Sequence, residues 1–368
     1  LQANLPHVPV RDMVIQAKAD QLVLATHGRS FWILDDLEPL RELSAKVVKA
    51  SSYLFRPEAA YLTYGWYVPH ALKYGMGQNP PNGVVVYYDL KHKPAHGEKV
   101  SLTFSTLSGK KIASFSNLTD ASGKPLKPSK KFYPPKEPKQ SDIVHSKAGM
   151  NRFIWQMRYP KATKVPGAII WEGSMQGPKI VPGTYRVTLS VGGVSQTRTF
   201  VVREDPRNMA TQADLKAQLA LAMQIHRKLD QTDRSILKLR TVRSEVQHYA
   251  SRLKHEVSNP EVSQNAKSIL HQLDQIEAAL IQTKSHSSED PLNYPVRLNN
   301  KLATLAAEVD YTFARPTQQD YAVYKELAGQ VDTQLGKLND ILTEQLPRLN
   351  QLIRKSGVEP IGVPQEKA

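Results

Sequence analysis

The spacing of apolar residues changes once along this chain, and that change limits what it can fold into. Before Asp205-Pro206 the apolar residues alternate with polar ones. In residues 183–191, Tyr185, Val187 and Leu189 fall on one side and Thr184, Arg186 and Thr188 on the other. A period of two is that of a half-buried strand. After Asp205-Pro206 the apolar residues recur at steps of three and four, as in Leu215, Leu219, Ala222, Ile225 and Leu229. That period is one face of an α-helix. A β-rich part followed by an all-helical part is therefore expected.

Within the β part, strands are predicted at 83–90, 99–107, 111–117, 151–159, 183–191 and 196–205. Gly192-Gly193 supplies a hairpin turn, and "LSGKK" and "VPGTY" supply two further turns. Short antiparallel strands with such turns predict an Ig-like β-sandwich over 51–205. The polar, Pro-rich stretch 118–148 reads as a loop on its rim, and 160–182 as a second loop. Residues 1–50 are a separate case. "RDMVIQ", "QLVLAT" and "RSFWILDD" read as three strands of a meander joined by turn chemistry. A meander of this size has open edges and needs a neighbour to be stable.

Four amphipathic helices are predicted over 206–356. The first carries the stripe from Leu215 to Val246, and Thr211 with Asp214 is a capping-box variant at its start. The second spans about 260–285, the third about 295–311 and the fourth about 317–355, with Pro347 as a kink point. Short breaks between long helices predict an antiparallel bundle. Residues 357–368 read as a frayed tail.

Composition narrows the chemistry. The 368 residues include no cysteine, which excludes disulfides, thiolate nucleophiles and cysteine-ligated metals. The formal net charge is +15. Much of the lysine sits in a Pro- and Ser-rich stretch that contains Lys124, Lys127, Lys130, Lys131, Lys136 and Lys139. Aromatic residues are not interleaved there as base-stacking platforms, so nucleic acid is not an expected partner. No apolar run reaches the roughly 18 residues of a membrane span. The eleven histidines show no metal-ligand spacing, and neither a Gly-rich phosphate loop nor a Gly-x-Ser-x-Gly elbow occurs. No metal and no cofactor are expected. The chain opens on Leu1-Gln2-Ala3, inside what reads as an element, so the expectation is the C-terminal part of a longer protein.

The segment "LVLATHGRSFWILDDLEPLREL" resembles the stretch that closes the propeller in bacterial sortilin-like, BNR-repeat proteins, which often carry a glycosyl hydrolase label. Further similar segments follow in order: "LFRPEAAY" (54–61), "NPPNGVVVYY" (79–88), "GMNRFIWQMRYP" (149–160), "VPGTYRVTL" (181–189), "EDPR" (204–207), "DPLNYPVRLNNKLATL" (290–305) and "ARPTQQDY" (314–321). The resemblance covers nearly the whole chain. It implies that residues 1–50 are the last strands of a β-propeller whose remainder lies upstream. It also implies an extracytoplasmic location. The Asp-box pattern Ser-x-Asp-x-Gly-x-Thr-Trp is absent; "THGRSFW" keeps its Gly and Trp only. A likeness of fold to sialidases does not establish chemistry.

Candidate ligand-contacting residues are His27, Arg29, Asp35, Asp36, Trp66, Tyr67, Trp171 and Glu172. His27 and Arg29 would reach an anionic sugar at a propeller mouth. The packing alternative pairs Arg29 with Asp35 or Asp36 and buries Trp32 between blades, and it is favoured. Asp35 and Asp36 are adjacent on a strand and point to opposite faces, so they cannot form a glycosidase carboxyl pair. A strand-ending turn is the favoured role for them. Trp66 and Tyr67, in an aromatic stretch with Tyr64, His70 and Tyr74, would stack on sugar or cover a domain junction, and the junction is favoured. Trp171 and Glu172, in "IIWEGSMQGP", are a similar case. Asn299 and Asn300 would hold the helices against the sandwich or bind a partner.

The expected function is a non-catalytic accessory or interaction region, with the upstream propeller as its first partner and a polysaccharide or a protein as further partners. Two alternatives remain open: part of a glycoside hydrolase whose main catalytic residues lie upstream, and a receptor-like peptide-binding module. No catalytic residue is assigned.

Overall fold

The computed structural model describes residues 5–63, 80–118, 143–256 and 260–355. Long helices follow the strands as the change of period predicts, while two five-residue helices over residues 38–49 interrupt the β part unpredicted. Two compact units form: residues 1–159 with 180–208, and residues 160–179 with 209–368.

Among the described residues the first unit holds three sheets. Strands β1 (Val10–Gln16), β2 (Gln21–Thr26) and β3 (Phe31–Leu34) make an antiparallel meander. Two short helices follow, α1 (Glu38–Glu42) and α2 (Ala45–Lys49). Strands β4 (Ser52–Leu54), β6 (Val84–Leu90) and β9 (Gly149–Trp155) form a second sheet in the order β4-β6-β9. The third sheet has the order β5-β11-β10-β7-β8. Its strands are β5 (Ala60–Leu62), β7 (Val100–Thr106), β8 (Lys111–Ser116), β10 (Gly183–Val191) and β11 (Val194–Glu204).

All six strands predicted in this part exist, within a few residues at each end. One pairing departs from expectation: β5 runs parallel to β11. No hairpin constrains β5, because the chain meets β11 only after the rest of the unit has been laid down. A parallel pair needs such a crossover. The β10–β11 turn is the expected one. Gly192 and Gly193 both have positive φ (54° and 85°), and Val191 pairs with Val194 across them. Two consecutive positive φ values define the tight turn that suits strand twist.

Alternation puts Leu102, Phe104, Val187, Leu189, Phe200 and Val202 inward from the five-stranded sheet. Phe153 and Trp155 come inward from β9. Phe104 stacks on Trp155 with ring centroids 4.2 Å apart, and Phe200 meets both rings edge-on at 6.2 Å. Trp155 Nε1 donates to the Arg158 carbonyl (3.1 Å), so its polar atom is satisfied inside the core.

The second unit contains α3 (Gln212–Glu256), α4 (Pro260–Leu280), α5 (Leu298–Tyr311), α6 (Gln318–Asp340) and α7 (Leu346–Lys355). The Thr211–Asp214 box forms: Asp214 N donates to Thr211 Oγ1 (3.2 Å), and Thr211 N donates back to Asp214 Oδ2 (3.0 Å). A second box, Thr317–Asp320, starts α6. Pro260 occupies the first position of α4, where its missing N–H costs nothing. Before Pro347 the helix widens into a π-turn over Ile341–Gln345 rather than simply kinking. Proline cannot donate to the carbonyl one turn back, and a wider turn accommodates that gap. The predicted stripe is the core: Leu215, Ile225, Leu229, Ile236, Leu239, Val242 and Val246 are buried with Leu273, Leu302, Val331 and Ile353.

Residues 160–179 belong with these helices rather than to the rim of the β part. Ser174 N donates to the Ala303 carbonyl (2.9 Å), and Thr163 N and Oγ1 both donate to Asp230 Oδ1 (2.7 Å each). At Gly173 an added Cβ would lie 2.9 Å from Ala303 Cβ and 3.0 Å from its carbonyl carbon. Gly173→Ala must therefore move the segment off α5. It is expected to cost about 1–3 kcal/mol in denaturant unfolding followed by circular dichroism. An unchanged midpoint would show that the approach is not tight.

Candidate functional site

The meander ends where two aspartates break the alternation. β3 stops at Leu34, and Asp36 takes a left-handed backbone (φ 61°). Asp36 Oδ1 then accepts the Glu38 amide (3.3 Å) at the start of α1. Asp35 Oδ1 accepts from Gln21 Nε2 (2.7 Å). The strand-ending role is thus what the structure shows for both residues. The partners differ from the expected Arg29: Gln21 takes Asp35 and a backbone amide takes Asp36.

The structure also brings Glu58 to Asp36, a residue that pattern reading passed over. Glu58 lies in the connection between β4 and β5. Its carboxyl is pushed up to about 8, first by burial and then by the charges of Asp36, Asp20 and Glu38. Asp36 is pushed up to about 6, again chiefly by burial, with Glu38 and Asp20 adding repulsion. Cations brace the margin of this carboxylate group. Arg41 Nη2 lies 2.6 Å from Asp20 Oδ1, and Arg56 Nη2 lies 2.5 Å from Glu38 Oε1. Tyr53 Oη and the Arg56 amide both donate to Glu42 (2.8 and 3.0 Å), tying α1 to β4. Chemically, this is a set of carboxyls that holds a proton at neutral pH. Among the described residues no group of His, Asp and Glu is placed to hold a metal.

The other candidates lie apart from this cluster. His27 and Arg29 sit in an exposed turn with Gly28 (φ 76°) and Ser30 (φ 62°). His27 N donates to the Pro9 carbonyl (3.0 Å), and Trp32 Nε1 donates to the Arg29 carbonyl (3.0 Å). Trp66 and Tyr67, with Tyr64, His70 and Tyr74, lie outside the described residues. Trp171 and Glu172 sit in the segment held by the helices. The Trp171 amide donates to Asn300 Oδ1 (2.8 Å), and Asn300 Nδ2 donates to the Trp171 carbonyl (2.7 Å). Glu172 has a left-handed backbone (φ 51°). Asn299 and Asn300 therefore hold Asp233 and the Trp171 backbone, all within the helical unit.

Behind this contact lies a second buried carboxyl. Asn299 Nδ2 donates to Asp233 Oδ1 (3.3 Å), and Asp233 is pushed up to about 7 by burial. Asp233 occupies a stripe position between Leu229 and Ile236, so a polar residue on the core face was its visible signal. Elsewhere a depression of about 370 Å³ is lined by Arg240, Arg243, Asp274, Glu277, Ala278 and Thr283. Both guanidiniums there are already committed to the buried Glu277, so neither is free for a ligand.

Compared with protein-family models and with curated proteins, the chain matches none.

The raised carboxyls make stability depend on pH with a definite sign. A carboxyl whose folded pKa lies above its unfolded value of about 4 binds more protons in the folded state. Its contribution is complete below that value and is lost as pH rises through about 6 for Asp36, 7 for Asp233 and 8 for Glu58. Unfolding midpoints should fall from pH 5 to pH 9, and Glu58→Gln with Asp233→Asn should flatten the slope. A slope identical in the double variant would show that these groups ionise normally.

Proposed function

We propose that this chain is the C-terminal, non-catalytic accessory and interaction region of an extracytoplasmic BNR-repeat propeller protein. In this reading the meander is the last part of a propeller blade, and the two remaining sheets form an Ig-like sandwich. The five helices act as a bundle for docking or support.

One observation carries the reading: the meander is apolar on both faces, and its first strand is exposed along its whole length. Val14, Val23 and Ile33 align in one cross-strand row, and Met13, Leu24 and Trp32 align in the next, on the opposite face. Met13 is 63 %, Val14 60 %, Phe31 71 % and Ile33 57 % exposed. A sheet apolar on both faces is built to lie between two layers, and exposed apolar area of this kind marks an interface. Along β1 every residue is exposed, and no described strand pairs with its outer edge. A blade whose neighbours lie upstream has these properties. The order of the motifs "THGRSFWILDD", "LFRPEAAY" and "ARPTQQDY" supports the same family. No helix among the described residues is long and apolar enough to cross a membrane.

Amide hydrogen exchange tests the reading. In the 368-residue chain alone, residues 10–34 should exchange fast. In the longer polypeptide that carries the upstream repeats, they should be protected by at least about tenfold, as docked strands are. Equal, fast exchange in both would remove the propeller reading.

The glycoside hydrolase alternative has its own supporting observation. Glu58 holds a proton at neutral pH beside ionisable Asp36, and a raised carboxyl next to a second one is the arrangement of a general acid with its partner. In this alternative Glu58→Gln lowers polysaccharide hydrolysis by the longer protein by about 100-fold or more. Full activity of that variant would leave the pair a purely structural joint.

A further inference from the structure

The five-stranded sheet has an outer face unlike any other among the described residues. Two of its cross-strand rows consist of hydroxyls. Ser114, Thr103, Thr188 and Thr197 align across β8, β7, β10 and β11 in one continuous row. The next row brings Ser101, Ser190 and Ser195 together. Strand spacing of about 4.8 Å and an alternate-residue repeat of about 6.8 Å set these oxygens on a regular grid.

Neighbouring hydroxyls bond to each other. Thr103 Oγ1 lies 3.0 Å from Ser114 Oγ, Thr188 Oγ1 2.9 Å from Thr197 Oγ1, and Ser190 Oγ 2.7 Å from Ser195 Oγ. A hydroxyl carries one O–H and two acceptor lone pairs. Each bonded pair therefore uses one O–H and one lone pair internally, and keeps one O–H and three lone pairs for an outside partner. The remaining O–H of each pair turns about its C–O bond to suit an outside partner. A surface that both donates and accepts on a fixed repeat matches the hydroxyls of a sugar chain.

The charge on this face has one sign. Arg186 stands in the row with Ser105 and Thr199, and Lys111 also pairs with Ser105. Arg203 lies at the rim over the Tyr61 ring, 5.9 Å from its centroid. Among the residues of these five strands the sole carboxylate is Glu204. It pairs in register with Leu62, whose side chain is buried, and its Oε1 accepts from Asn208 Nδ2 (2.7 Å). Among the described residues near this sheet, Glu98 brings a carboxylate to the Gly192 turn at its end, away from Arg186, Lys111 and Arg203. Among the described residues of these strands Tyr61 is the one exposed aromatic on this face, too few for successive bases to stack as single-stranded nucleic acid requires.

We propose that the outer face of the β5-β11-β10-β7-β8 sheet binds an acidic polysaccharide, an extended glycan bearing carboxylate or sulfate groups. Arg186, Lys111 and Arg203 meet its anionic groups, and the hydroxyl rows meet its sugar hydroxyls. This goes beyond the docking reading above. It concerns a different sheet and stands whether or not the meander seats on a propeller.

The test uses the full 368-residue chain at about 0.15 M salt, where diffuse surface charge is screened beyond about 8 Å. Affinities are measured for polygalacturonate, dextran sulfate, neutral dextran and single-stranded DNA. The chain should bind polygalacturonate or dextran sulfate, the stronger arm naming the anionic group, and should ignore dextran. Replacing Arg186 and Arg203 with Glu should weaken glycan binding by about tenfold or more, the size of one lost charge-assisted contact. An equal charge change on exposed helix positions, Lys267→Glu with Lys337→Glu, should change it by less than about twofold, as distant screened charges do. Thr103→Val with Thr188→Val keeps the charge and the β propensity and should still weaken binding severalfold by removing hydroxyls. Equal losses in the two charge variants, unaltered binding in the threonine variant, tighter binding of DNA than of either glycan, or no glycan binding would each overturn the proposal.

Discussion

The stack of Phe104 on Trp155 is the contact on which the β unit depends. It joins a strand of the five-stranded sheet to a strand of the three-stranded one, and Phe200 closes on both rings. Such aromatic contacts add to area burial rather than merely accompany it. Each further inward residue is placed relative to this centre by strand alternation, which in turn commits the opposite positions to solvent. The hydroxyl-covered outer face is thus the reverse side of the same register. A slip of one residue in β10 would exchange Val187 and Leu189 for Arg186 and Thr188.

The helical unit rests on a different device. Its core stripe is interrupted by Asp233, and Asn299 and Asn300 satisfy that interruption while gripping the backbone at Trp171. A buried polar chain of this kind adds little net stability but penalises any other arrangement. The carboxyl cluster at Asp36 and Glu58 has a comparable place in the β unit, where the meander joins β4 and β5. In both places burial pushes a carboxyl well above the usual carboxylate range. Both units therefore carry ionisable groups within their framework and not only on their surface.

Much of the fold was legible from periodicity. The strands from 83 to 205 and the four helical stretches all fall where alternation or the three-and-four step puts them, because each element buries one face. Several features were not legible, among them the five-residue helices α1 and α2, too short to show a helical period. The strands β4 and β5 are three residues long, too short for a period to show. The parallel pairing of β5 is set by tertiary context alone. The placement of residues 160–179 depends on reciprocal backbone contacts, such as Asn300 with Trp171, that leave no local pattern. Of the candidate site, Asp35 and Asp36 were read correctly as a strand end. Glu58 was not found, since its environment comes from residues 22 and 38 positions away in sequence. A motif containing it, "LFRPEAAY", was visible as a family likeness but gave no hint of its charge state.

The path of the chain has a consequence for how this molecule is made. The polypeptide leaves the β unit after Tyr159, contributes residues 160–179 to the helical unit, and returns to lay down β10 and β11. During synthesis that segment emerges before any of its helical partners, and the β unit closes around a gap in its own sequence. Neither unit is a contiguous piece of chain. The two are interleaved like pages bound out of order, so no single cut yields either one whole. Evolutionary exchange of the helices as a module would have to carry an internal twenty-residue segment with them, which ties the history of the two units together.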